Sequence, residues 1–386
     1  MSSLIQNSRP VLVGHPFILI GMGEVVRSSF RAFQRVGIDV LLRDVYGAKS
    51  LINEDFKGEF KGHLVSKLSE AINIFCINGN EVSPTLDRVM NELPAGAYNI
   101  IYPFWELSIY PHEWAVELDR FDEVWTASEF VFNAVSKSVT KPVLHMPLAT
   151  EVGISSFFGR RYFGIPESAY AFLFFFDFTS FIDRKNPFAV LKAFERFCEI
   201  LPDEDVCLVM KTNSSASRPQ HFARFEEALS KFRYRDRLTV INKTLTDNEI
   251  VNLVYCCDSF ISLHRSEGFG RGMAEAMCLG KPVIATGYSG NLDFMDESNS
   301  CLVSYNLIPV EEEQYLYAKG QVWADPDIGQ AASYMRRLVT DRQYGRKLGE
   351  VASRHIRTFF NYGAVGLKYA SRIEEILKKR MPRGAK

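Results

Sequence analysis

The chain lacks the features that mark several protein classes. Among its 386 residues, 45 Lys and Arg face 46 Asp and Glu, which leaves a net charge of −1. A nucleic-acid binder that neutralises phosphates needs a basic excess, so that class is set aside. No apolar run approaches the roughly 18 residues of a membrane span, and the most apolar stretch, Ala169 to Phe176, has the length of a strand. The start, Met1 to Phe17, has no basic segment followed by an apolar core, so no signal peptide is expected. Seven cysteines form no C-x-x-C pair, and their number is odd. They read as reduced, mostly buried residues, Cys256 and Cys257 included, and imply a cytoplasmic protein. Low-complexity tracts and repeats of solenoid length are absent as well.

What is present is α/β alternation in a chain long enough for two cores. Val11 to Ile20 reads as a strand, Gly21-Met22-Gly23 as a turn, and Glu24 to Val36 as a helix that Gly37 stops. Apolar runs at 38–42, 72–77, 99–104, 123–127 and 143–147 look like further parallel strands. The segment Glu151 to Pro166 is the candidate linker. A second series opens with the phenylalanine-dense strand 172–178 and continues through helix 187–200, strand 206–211, helix 220–231, strand 237–242 and helix 247–256. Strand 301–304 and helices from about Pro326 close it. Two such series suggest two Rossmann-like domains facing a cleft.

The densest stretch is residues 259–297. An apolar run around Phe260 and Ile261 breaks into a glycine-containing loop, His264 to Gly270, followed by helix 273–279, the apolar run 282–285 and another glycine loop. This is one βαβ unit with loops at the carboxyl ends of its strands, where open α/β sheets bind ligands and helix amino ends offer N–H groups to anions. Glu267 and Glu275 stand in an E-x7-E frame, with Gly268-Phe269-Gly270 directly after the first. The stretch reads as a site for something anionic and hydroxylated.

Glu267 through Thr286, with EGFG, EAM, GKPVIAT and then Ser289-Gly290-Asn291, closely resembles the E-x7-E region of family 4 retaining glycosyltransferases. The resemblance implies a GT-B fold, α/β with two Rossmann-like domains facing a central cleft. On that reading residues 1–165 form the acceptor-side domain and 166–360 the nucleotide-sugar domain, while the last helix, within 361–386, crosses back to the first. It implies that Glu275 bonds the nucleotide ribose hydroxyls and that Glu267 lies near the donor hexose. The amides around Gly268, Phe269 and Gly270 would meet the phosphates. The family usually has an arginine, a short spacer and a lysine on the donor phosphates. Lys185, in Arg184-Lys185-Asn186-Pro187, takes the lysine place, but the arginine place holds Ser180. Ser180 would then donate a neutral hydrogen bond, with Arg184, Lys211 or Arg265 as the compensating cation.

Gly21 and Gly23, between the first strand and helix, can let a backbone approach a phosphate. Val26 breaks a full G-x-G-x-x-G, so no dinucleotide site is claimed. The resemblance puts such a loop near the donor diphosphate or acceptor. Ile101 to Trp114 combines large aromatics with Glu106 and His112, residue types that bind sugar faces and position hydroxyls. Arg27, Arg31 and Arg35 recur along one helix face, as a solvated stripe or a peripheral contact with acidic lipid, and the tail Lys378 to Arg383 is also basic. Asp325-Pro326-Asp327 spells a D-x-D but precedes a helix, where an aspartate caps. No metal and no cofactor are expected, only a nucleoside-diphosphate sugar as donor and a glycan or lipid-linked glycan as acceptor. The oligomeric state is open. A catalytically silent sugar- or nucleotide-binding subunit is the rival reading, prompted by Ser180. A glycosidase pair of Glu267 and Glu275 fits less well, because such carboxyls usually come from separate elements.

Overall fold

The computed structural model describes residues 5, 8–47, 54–213 and 215–380. Met381 to Arg383, the end of the basic tail, lie outside the described residues. The chain forms two compact units, Met1–Thr150 with Thr358–Lys386, and Glu151–Arg357.

The first unit holds six parallel strands: β1 (Val11–Gly14), β2 (Leu41–Asp44), β3 (Ile72–Phe75), β4 (Tyr98–Ile101), β5 (Glu123–Thr126) and β6 (Val143–His145). Their order is β2-β1-β3-β4-β5-β6. The first strand ends at Gly14 rather than at Ile20, because Pro16 removes a ladder donor and the chain turns there. The helix Gly21–Arg35 follows. Against it lies the helix Tyr362–Arg380, so closely that a Cβ on Gly366 would come within 2.1 Å of the Ala32 carbonyl oxygen. Arg372 of that helix donates through Nε to the fully buried Glu123, 3.0 Å away.

Arginines 27 and 31 do not form a solvated stripe. Arg27 is buried, bonded to Glu24 at 2.8 Å and to the carbonyls of Pro16 and Ile18. Its guanidinium also lies over Phe56 at 4.2 Å. Arg31 grips Glu59 with two bonds, at 2.9 and 2.8 Å. Their charges are matched within the unit. Helical spacing alone does not reveal that.

The second unit has β7 (Tyr170–Asp177), β8 (Val206–Asn213), β9 (Leu238–Asn242), β10 (Ser259–Ser262), β11 (Val283–Thr286) and β12 (Cys301–Val303), all parallel, in the order β12-β11-β10-β7-β8-β9. Strand order reverses between β7 and β10, the switch point at which an open α/β sheet leaves a crevice. The phenylalanines of β7 cover both of its faces. Phe172, Phe174 and Phe176 join a core with Phe194, Phe197 and Phe225, while Phe175 meets Phe260 edge-on at 5.1 Å on the other side. The candidate linker belongs to this unit rather than to the first. Arg160 ties it there, donating to the Cys256 carbonyl at 2.9 Å and to Asp258 at 2.7 Å. An antiparallel hairpin of β13 (Tyr305–Pro309) and β14 (Val322–Pro326) was not read from the sequence. Among the described residues no helix is long and apolar enough to cross a membrane, and all seven cysteines are buried free thiols.

Candidate active site

The loops after β7 and β10 meet at the switch point of the second unit, and the sequence explains how. After β7 the chain makes a short turn, Phe178–Ser180, then a single helical turn, Ile182–Lys185. Asn186 then adopts a left-handed conformation with φ 55°, one of the few residue types that does so readily. Its side chain accepts from Ala189 N, capping the helix Pro187–Ile200, and donates to the Leu263 carbonyl at 3.0 Å. This turn places Arg184 and Lys185 beside the loop that follows β10.

Glu267 receives both cations. The Lys185 ammonium lies 2.5 Å from Oε1, and Arg184 donates to Oε2 at 3.0 Å. Arg184 also donates to the Ser266 carbonyl at 3.0 Å and to the Ser180 carbonyl at 3.2 Å. Burial alone would raise the Glu267 carboxyl, but Lys185 and then Arg184 outweigh it and hold the group down at about 2. Glu267 is therefore a buried carboxylate that is ionised at neutral pH. Arg184 is not a solvated turn residue; it is almost wholly enclosed.

Behind Glu267 stands a second loop, Tyr288 to Asn291. The Ser289 hydroxyl accepts from Glu267 N at 2.8 Å, and Gly290 N donates to the Glu267 carbonyl at 2.9 Å. Ser289 sits at φ 78° and ψ −147°, a region nearly restricted to glycine. His264 is fully buried, and its ring bridges Ser262 Oγ, at 3.1 Å, to Asn291 Oδ1, also at 3.1 Å. Burial lowers its pKa, so the neutral ring is favoured. Sequence reasoning noted the S-G-N triplet without seeing that it carries the backbone of Glu267.

After Glu267 the loop runs into the helix Arg271–Cys278, whose N-cap, Gly270, has φ 96° and contributes no capping side chain. That backbone conformation calls for glycine, whereas the nearest atom to a Cβ there, the Met273 methyl, ends a flexible side chain. Phe269 points into the core against Phe294, at 5.1 Å, leaving only its backbone available to a ligand. Glu275 is one turn into the helix and accepts from Arg271 Nε at 2.5 Å.

The remaining candidates are placed as follows. Lys211 is buried on β8, where desolvation lowers its pKa to about 8 although Asp177 opposes this. Arg265 extends toward Asp325, at 3.5 Å, and over Trp323, at 5.3 Å. Asp327 caps the helix Ile328–Thr340 by accepting from Gln330 N at 3.0 Å, and Asp325 belongs to β14. Among the described residues no group of three His, Cys, Asp or Glu side chains could hold a metal ion.

Gly21, Gly23, Glu106 and His112 all belong to the first unit. Gly21 begins its helix and is exposed, whereas Gly23 is pressed against the Ile18 carbonyl, where a Cβ would come within 2.2 Å. The tightness at Gly23 thus comes from internal packing. His112 is exposed at the start of the helix His112–Leu118, and Glu106 is half-buried. Of the aromatics near them, Tyr102, Trp105 and Tyr110 are core and offer no face to a sugar, while Phe104 and Trp114 are half-buried. Unread from the sequence, His15 lies at the end of β1, bonded to Glu81 at 2.8 Å and stacked on Tyr46 at 4.4 Å.

Comparison with known proteins agrees with this architecture. Residues 172–355 match the family model described as glycosyl transferases group 1. A comparison with curated proteins finds no match. Among solved structures, HepE of Anabaena, crystallised with UDP and glucose, superposes with TM-score 0.70 at 12% identity, covering 95% of this chain and 100% of that one. Sucrose-phosphate synthase from Thermosynechococcus elongatus gives 0.67 at 14% identity, over 96% and 100% of the two chains. A glycosyltransferase from Rickettsia africae gives 0.68 at 14%, over 96% and 99%. The chain has the GT-B fold of these structures, and the part of it that resembles the group 1 glycosyl transferase model lies within the second unit.

Proposed function

We propose that the protein moves a sugar from a nucleoside-diphosphate donor to a hydroxyl of a glycan or lipid-linked glycan, with retention of anomeric configuration. Synthesis of a cell-surface polysaccharide or glycoconjugate, on the cytoplasmic side, is the setting such substrates suggest. One observation carries the reading: Glu267, ionised and gripped by Arg184 and Lys185, sits at the sheet switch point before the helix that bears Glu275. The complexes of HepE with UDP and glucose and with UDP-glucose support a UDP-sugar among the donors to be tried.

In the reaction the acceptor oxygen bonds to the sugar anomeric carbon while the bond from that carbon to the diphosphate oxygen breaks. The electron pair leaves with the diphosphate, and one of its oxygens takes the hydroxyl proton. Glu267 offers a fixed negative charge to the sugar, and Lys185, fixed by Glu267, offers a positive one to the departing diphosphate. Glu275 accepts from the ribose hydroxyls, and the backbone of Gly268 to Gly270 supplies N–H groups. The acceptor is assigned to the first unit, with Gly21, Gly23, Glu106 and His112 as its candidate residues. No metal is required in this scheme. Ser180 in the arginine place keeps a second reading alive, a subunit that binds the nucleotide sugar without transferring it.

A thermal-shift panel of UDP, GDP, ADP, CMP and dTDP tests the donor. Ligand at about 1,000 times its dissociation constant adds about 4 kcal/mol of stability. One diphosphate should stand out, and the matching sugar nucleotide should release it when a glycan acceptor is present. Binding without any release favours the silent subunit.

A further inference from the structure

With Ser180 in the arginine place, the donor diphosphate lacks one cation beside Lys185, and Arg184 and Arg265 already have carboxylate partners. Arg184 holds Glu267 from its buried position. Arg265 is turned to Asp325 and Trp323, and Lys211 is buried on β8. Arg271 is a further cation of the second unit. It opens the helix Arg271–Cys278, its side chain is 35% exposed, and it reaches along the helix to Glu275, four residues on.

Residues four apart share a helix face, and one turn of helix rises about 5.4 Å. A nucleotide whose ribose is held at Glu275 has its diphosphate displaced by a comparable length, toward the amino end where Arg271 stands. We propose that Arg271 is a donor-phosphate arginine, parked on Glu275 until the nucleotide arrives. The proposal rests on the donor reading above. When the ribose hydroxyls bond Glu275, they replace Arg271 on that carboxylate, and the guanidinium turns to the adjacent phosphate oxygens. Glu275 stays satisfied before and after, and the arginine exchanges a carboxylate for a phosphate it can meet with two parallel bonds. The exchange also couples ribose recognition to charge placement, so a phosphate lacking the nucleoside would not draw the arginine off Glu275.

The test separates a phosphate contact from mere support of Glu275. UDP, GDP and ADP are titrated calorimetrically into wild type, Arg271→Ala and Arg271→Lys, and uridine, guanosine and adenosine are followed by displacement. For the diphosphate that binds wild type best, Arg271→Ala should lose about ten- to a hundredfold in affinity, as expected for a charge-assisted contact. The matching nucleoside should bind unchanged or more tightly, because Glu275 no longer needs to be cleared. Arg271→Lys should recover part of the diphosphate affinity. Equal losses for nucleoside and diphosphate, or no loss for either, overturn the assignment while leaving the donor reading intact. Failure of wild type to bind any nucleotide of the thermal-shift panel overturns both.

Discussion

The Lys185 ammonium lies 2.5 Å from Oε1 of Glu267, the two side chains being only 20% and 12% exposed. The pair joins the turn after β7 to the loop after β10, so local structure and proposed chemistry depend on the same contact. Lys185→Ala should lower turnover by about a hundredfold or more, the usual cost of one preorganised electrostatic contact. It should also cost about 2 kcal/mol of stability, since a bond to a charged, mostly buried group is lost. Arg184→Ala should destabilise more, because Arg184 lies deeper and also holds the Ser180 and Ser266 carbonyls. Steady-state kinetics with urea unfolding checks both.

Acid stability should report Glu267. Its carboxyl is held at about 2 in the folded protein, against 4.5 for a free glutamate. A depressed carboxyl adds stability that is fully present above the unfolded value and fades as pH falls through the folded one. Wild type should thus lose stability between pH 4.5 and about 2 more steeply than Glu267→Gln. Parallel profiles for the two proteins would deny the pairing.

Lys211 should act in the opposite sense. Its folded value of about 8 lies below the 10.5 of a free lysine, because burial disfavours the ammonium. Between those two pH values the unfolded chain holds a proton that the folded chain has lost, so this group makes stability rise with pH. Lys211→Met should be more stable than wild type at pH 7, with the gap narrowing toward pH 10. If a diphosphate draws charge onto Lys211, binding near pH 8.5 should take up a proton, seen as a buffer-dependent enthalpy.

Ser289 sets strain against support for Glu267. Ser289→Gly should relieve a backbone conformation that costs about 1–3 kcal/mol, but it loses the hydroxyl that accepts from Glu267 N. Ser289→Ala keeps the strain and loses the same bond. The glycine variant should therefore unfold at higher denaturant than the alanine variant, with both impaired in turnover. Equal stability of the two would show that the backbone there is unstrained.

Much of this could be read from the sequence because parallel strands buried on both faces appear as unbroken apolar runs. The loops after β7 and β10 follow from the same alternation. Three features resisted for physical reasons. The hairpin β13 and β14 carries polar and charged residues through 305–326, without a clean two-residue period. Arg27 looked solvated because sequence spacing reports the helix face but not a partner such as Glu24 or the carbonyls of Pro16 and Ile18. The aromatics of 101–114 looked like a sugar platform, yet the first unit uses Tyr102, Trp105 and Tyr110 as core. Arg271 and Glu275 were at ion-pair spacing from the outset, but only the structure shows them bonded.

The central claim is that the second unit binds a nucleoside diphosphate with Glu275 on its ribose. Calorimetric titration of wild type and Glu275→Ala with UDP, GDP and ADP tests it most directly. One diphosphate should bind wild type, and Glu275→Ala should weaken it by roughly ten- to a few hundredfold, as loss of bonds worth about 1.5–3 kcal/mol each implies. A folded Glu275→Ala variant that binds that diphosphate as tightly as wild type would contradict the account.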